Sequence, residues 1–195
     1  MRTVLHILFW LVTCLWFTMV AAPGIAAISA FTQLPEQGAM IPTYADHFAN
    51  DPEGMGRLVA GYVTNPIFIA SDMVQWFLAP TALLLAILLR TPLKIASGPG
   101  QMICVLALAG ALGLVVVQNA FMGPRLQENL QAYRDAAAAN RGEEAATAYA
   151  AFDADHRIAE PLFGIRLLLL TVAIAGAAGG TRTRPIEPAA GRVST

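Results

Sequence analysis

Few side chains in this sequence could do chemistry, and the most telling ones sit where chemistry is expensive. Asp72, Gln118, Asn119 and Arg166 each interrupt a long apolar run. An aspartate and an arginine in hydrocarbon cost far less together than apart. An Asp72–Arg166 ion pair is therefore expected, with the amides of Gln118 or Asn119 beside it. Such a layer reads first as a clasp that fixes helix register. Its functional alternative is a small polar pocket open to one face, and its third outcome is that the charged heads snorkel to the interface.

A second polar group comprises Asp153, Asp155, His156 and Glu160. His156 and Glu160 are four apart, hence on one face of a helix. These groups could hold a divalent cation, as could Asp46 with His47. Carboxylates around a lone histidine are equally ordinary on a water-facing surface, so a metal stays open. Only His6 lies in or near an apolar run, too little for haem between facing helices. Cys14 and Cys104 lie inside apolar runs without a Cys-x-x-Cys motif, which points to packing rather than disulfide or thiol redox chemistry. No Ser–His–Asp grouping, phosphate-cradling glycine loop or His-Glu-x-x-His is present. No catalytic residue and no cofactor is implied. Trp10, Trp16 and Trp76 read as packing residues or interfacial anchors.

The elements that must position these groups follow from composition. Of 195 residues, 56% are hydrophobic and 13% charged, against about 25% charged in a soluble domain. Mean hydropathy is +0.57. The net charge of −1 offers no basic field for nucleic acid. About 20 apolar residues cross a bilayer, and four stretches qualify, at about 4–28, 66–89, 102–122 and 158–179. The first exceeds the roughly 7–15 residues of a signal-peptide core, and Pro23 follows its small-residue Val20-Ala21-Ala22, so a span rather than a cleaved leader is expected.

Arg2, the Arg90–Lys94 link and the tail residues Arg182, Arg184 and Arg192 fall on one side if four spans alternate. Glu36, Asp46, Asp51 and Glu53, against Arg57, fall on the other. The excess of Lys and Arg places both termini in the cytoplasm. At 1.5 Å per residue, Asp72 lies roughly 9 Å from the outer end of its span, Arg166 roughly 12 Å and Asn119 roughly 6 Å. Three helices thus place polar groups in one outer layer, with Thr18 near it, while the inner half looks dry.

Outside the spans, Leu126, Leu130 and Tyr133 recur at helical spacing. Asn140-Arg141-Gly142 is a helix stop, and Glu143 and Glu144 favour a new helix start. The expectation is an extracytoplasmic helical hairpin over about 124–157. Residues 34–56 read as a loop with at most a short helix, and the tail 181–195 as a disordered cytoplasmic segment. Residues 1–180 then form one membrane domain, an all-α, four-helix transmembrane bundle. Ala109 with Gly113, and Gly176 with Gly180, are expected close-contact faces. Pro80 is expected to bend the second span.

The stretch Pro124-Arg125, a helical spacer, Phe152-x-x-x-His156 and an apolar last helix resembles the transmembrane protein 205-like family, a four-span group whose bacterial members form a domain of unknown function. Small residues ending in Phe31 after the first span look similar too. Where that family carries a small hydroxyl residue after the histidine, this chain has Ala159-Glu160-Pro161. The resemblance implies the four-span layout and, with the short loops, a bacterial inner membrane. Together these readings favour a non-enzymatic structural or accessory membrane subunit. Its partners would be the bilayer and either further copies of itself or another membrane protein. A small transporter or channel using the outer polar layer is the alternative, followed by a membrane enzyme with a surface metal site.

Overall fold

The structure, a computed structural model, describes residues 2–90 and 98–180. Lys94 and the tail 181–195, expected to be disordered, lie outside the described residues. Within them the chain is helical. The helices are α1 (Arg2–Glu36), α2 (Pro52–Arg90), α3 (Pro99–Val116), α4 (Gly123–Ala138) and α5 (Gly142–Gly180). A 3-10 turn occupies Pro42–Tyr44, and a π-helical segment, Val117–Met122, joins α3 to α4.

α3, the π segment and α4 run on as one rod of 40 residues, so the described chain contains four rods. Each is long and apolar enough to cross a membrane, the signature of a multi-pass integral membrane protein. α1 packs along α2, α2 along α3, α3 along α5, and α5 closes back on α1. In this ring α2 and α5 face each other across the middle. α4 packs against α5.

Helices of 39 residues, as in α2 and α5, are about 58 Å long, nearly twice the ~30 Å of bilayer hydrocarbon. The excess lies at the end carrying residues 37–51 and the α4–α5 turn, where Glu53, Arg57, Arg125, Arg134, Glu143, Glu144 and Asp153 interrupt the apolar pattern. This end is called the headpiece below, and the opposite one the terminal end. Each end has its own core. The larger gathers Phe9, Trp16, Val20, Leu85, Leu89, Cys104, Leu108 and Leu170 between the rods, and the smaller gathers Tyr44, Met55, Leu58, Ala136, Ala137 and Ala145 in the headpiece. Around the larger core the rods expose Val4, Leu11, Ile28, Phe77, Leu106 and Leu168 outward. An apolar exterior suits lipid and no other solvent.

Helix starts differ from expectation for a clear reason. The second helix begins at Pro52, well before Pro66. Asp51 caps it, its Oδ1 accepting the N–H of Gly54 at 2.8 Å, and Pro52 takes the first-turn position whose N–H would be unpaired anyway. An apolarity criterion finds where lipid starts, not where a helix starts. The helix passes through Pro66 and Pro80 without ending. Likewise, residues 124–157 are not a separate unit but continuations of the third and fourth rods. The turn between them is a left-handed cap. Asn140 has φ 53°, and the N–H groups of Asn140 and Arg141 return to the carbonyls of Ala137 and Ala136 at 3.0 and 2.9 Å.

One expected packing face is used and one is not. A methyl group on Gly176 would meet the carbonyl oxygen of Gly100 at 2.6 Å, so α5 and α3 touch backbone to backbone. Ala173 and Ala177 are buried beside it. Ala109 and Gly113 instead lie exposed, and nothing stands within 4 Å of a Cβ built on Gly113. Packing of α3 uses Cys104, Leu108, Ala111 and Val115.

Candidate functional site

A proline starts the polar layer. Pro23 lies inside α1 and has no N–H, so the carbonyl of Met19, four residues back, loses its helical donor. The hydroxyl of Ser71, on α2, donates to that carbonyl. One turn along α2, the Gln75 side-chain amide donates to Ser71 Oγ and to Asp72 Oδ1, each at 3.2 Å. The carbonyl oxygen of the same amide accepts the indole N–H of Trp16 at 3.2 Å. The chain of bonds thus leaves α1 at Trp16 and returns to it at Met19. Gln75 and Trp16 are 1% and 0% exposed, depths at which an amide or indole without partners would be costly.

The layer extends to the other rods. Asn119 donates to the backbone carbonyl of Asp72 at 3.3 Å, and Gln118 to the carbonyl of Ala159 at 3.1 Å. Both amides stand on the π segment, where the wider helical turn interrupts α3. Arg166 Nη2 lies 3.9 Å from Asp72 Oδ1. That distance makes an ion pair but is too long for a hydrogen bond. The Arg166 side chain is 3% exposed and that of Asp72 39%, so the carboxylate sits at the edge of the layer and the guanidinium inside it. Arg166 Cζ is 5.7 Å from the centroid of the Phe163 ring. Its Nε and Nη1 find no hydrogen-bond partner, nor does Gln118 Oε1.

Asp72, Asn119 and Arg166 are therefore brought together, while Gln118 ties the π segment to α5 instead of serving the ion pair. Thr18 is exposed and bonds only its own helix, at Cys14 O. Sequence reasoning missed Ser71, Gln75 and the polar role of Trp16. Their signal was the run Ser71, Asp72, Gln75, whose spacings of one, three and four put all three near one face of α2. The dry terminal half also has exceptions among the described residues. Gln101, 3% exposed, donates to Ala86 O at 3.3 Å and ties α3 to α2, and Thr13, 0% exposed, buries an Oγ1 with no hydrogen-bond partner.

The second candidate group disperses. Asp155 turns to α4, meeting Arg125 Nη2 at 3.0 Å and Asn129 Nδ2 at 3.3 Å. Asp153 pairs with Arg157 on its own helix at 2.7 Å. His156 stacks on Phe152, ring centroids 5.3 Å apart, and both His156 and Glu160 are exposed. Among the described residues no three His, Cys, Asp or Glu side chains gather as metal ligands. His47 packs edge-on against Phe48.

A third cluster was not foreseen. In the headpiece, Arg134 of α4 lies over the ring of Tyr62, its Cζ 3.8 Å from the centroid. The hydroxyls of Tyr62 and Tyr44 bond to each other. Burial first, then the bond with Tyr62, raise the Tyr44 phenol well above its ordinary range. Just nearer the membrane, Asn65 and Gln127 exchange amide hydrogen bonds of 3.3 and 2.9 Å between α2 and α4.

No protein-family model, curated protein or solved structure matches this chain.

Proposed function

We propose that this chain is a non-enzymatic structural or accessory subunit of a cell membrane, held in one register by its polar layer. The observation carrying this reading is the sealed core on the terminal side of that layer. Phe9, Leu89, Cys104 and Leu108 are each 2% exposed or less, and a solute crossing the bundle would need polar groups through this depth as well. The positive residues Arg2, Arg90, Lys94, Arg182, Arg184 and Arg192 support cytoplasmic termini and a headpiece outside. Residues 124–157 then stand as a helical pair on the outer surface. The bacterial inner membrane is the expected location. Within this proposal the chain is a relative of the transmembrane protein 205-like family, on the strength of Pro124-Arg125 and the stacked Phe152–His156 pair.

A second reading, a small transporter or channel with the layer as its outer site, draws on the unpartnered nitrogens of Arg166 and on Gln118 Oε1. Cys104, 0% exposed, is a natural reporter between the two. In a Cys14→Ser background, a membrane-impermeant thiol reagent should leave Cys104 unlabelled from either side of a vesicle. Labelling from an aqueous face would reveal a water-filled path and favour transport. The same reagent against single cysteines placed near each terminus should react only from the cytoplasmic side.

A further inference from the structure

The headpiece holds a positive charge that the protein does not answer. Arg134 is 8% exposed, and its Nε and Nη2 have no hydrogen-bond partner. Among the described residues it forms no ion pair. The nearby carboxylates are engaged. Asp135 accepts the Gln131 amide at 2.8 Å, and Asp51 caps α2. The ring of Tyr62 beneath the guanidinium offsets part of the charge but accepts no conventional hydrogen bond.

The tyrosine pair adds to the surplus of donors. Of the two hydroxyls bonded together, one donates and one accepts, which leaves one O–H proton for another acceptor. What remains unanswered is therefore an arginine fork and a phenol, set among Met55, Leu58, Ala136 and Ala137. A buried unpaired cation is costly, and planar guanidinium donors match the oxygens of a phosphate.

We propose that Arg134, with the Tyr44–Tyr62 hydroxyls, forms a binding site for a phosphate-type oxyanion. Tyr62 lies four residues, about 6 Å along the helix, from Pro66 and the start of the apolar run, which is the level of lipid headgroups. The phosphate is thus supplied by an anionic lipid or by free phosphate. The site lies apart from the membrane layer, so its failure would leave the clasp untouched.

The test is thermal unfolding of the full chain in nonionic detergent. Sodium phosphate is titrated against sodium chloride at equal ionic strength, and phosphatidylglycerol is doped into the micelles against diacylglycerol. A saturable rise in Tm with phosphate identifies the free anion as sufficient, and a rise only with phosphatidylglycerol identifies the headgroup. Either supports the site, and Arg134→Gln should abolish the rise while Asp72→Asn keeps it. No saturable rise with either ligand, or a rise surviving Arg134→Gln, overturns it. If Arg134→Gln does not fold, Tyr44→Phe combined with Tyr62→Phe gives the decision, since either hydroxyl could supply the spare proton. The pair retains both rings and should raise the half-saturating concentration about tenfold, and an unchanged value counts against the site.

Discussion

Arg166, in the polar layer, and Arg134, in the headpiece, are about equally withdrawn from solvent, at 2% and 8% exposure. Their surroundings differ. Arg166 has a carboxylate at 3.9 Å within a network reaching all four rods, whereas Arg134 has a tyrosine ring and, among the described residues, no acid within ion-pair distance. The membrane half handles its charge with an internal partner because hydrocarbon supplies none. The headpiece, bathed by water and headgroups, can leave its charge for something from outside. Packing contrasts less. Both halves mix alanines with larger side chains, and each brings two rods into short backbone contact, at Gly176 and at Gly56.

The largest expected effect tests those short contacts. A Cβ on Gly56 would stand 2.4 Å from the Pro35 Cα, backbone against backbone between α2 and α1. Gly56→Ala should therefore destabilise the detergent-solubilised protein by about 3 kcal/mol. Gly176→Ala, against the Gly100 carbonyl, should cost a little less, about 2 kcal/mol. Denaturant-induced loss of helical signal measures both. A smaller penalty at Gly56 than at Gly176 would mean that the headpiece is the looser region.

Asp72→Asn comes next. It keeps an acceptor for Gln75 but removes the charge facing Arg166. The cost should be about 2 kcal/mol, below the usual range for a broken buried pair because the carboxylate is partly exposed. Adding Arg166→Met should restore most of the loss, and a double-variant loss equal to the sum of the two single losses would show that the two charges do not act together. Trp16→Phe leaves Gln75 Oε1 without a donor and should lower stability by about 1 kcal/mol in the same assay.

The smallest effect separates the regions by pH. The folded state raises Tyr44 above the ordinary phenol value of 10.0, so the fold retains a proton that the unfolded chain gives up. This contribution is complete below that pH and is lost as pH climbs past it. Tyr44→Phe should flatten the alkaline loss of stability measured between about pH 9 and about pH 11. An unchanged alkaline limb would move its origin away from the headpiece.

The same contrast explains what could be read from the sequence. Four rods were legible because lipid demands long uninterrupted apolar runs, and Asp72 and Arg166 because they break them. Arg134 was not, since it stands among Glu128, Asp135 and Arg141, where one more charge carries no signal. Gln75 and Ser71 escaped for a related reason. Weakly polar residues are common in membrane helices, and only the neighbouring rod decides whether they are bonded. The apolar run at about 66–89 is silent on where α2 starts, because Asp51-Pro52 begins the helix in water.

The Met19 carbonyl that Pro23 leaves without a helical donor bears on inheritance. As long as residue 23 is proline, Ser71 answers a vacancy on the neighbouring rod, and losing either changes what the other is for. A lineage with a backbone amide at position 23 would fill the vacancy from within α1, and the serine would be free to drift. Variation at these two distant positions should therefore be correlated, recorded in descendants as a pair of changes rather than as two separate ones.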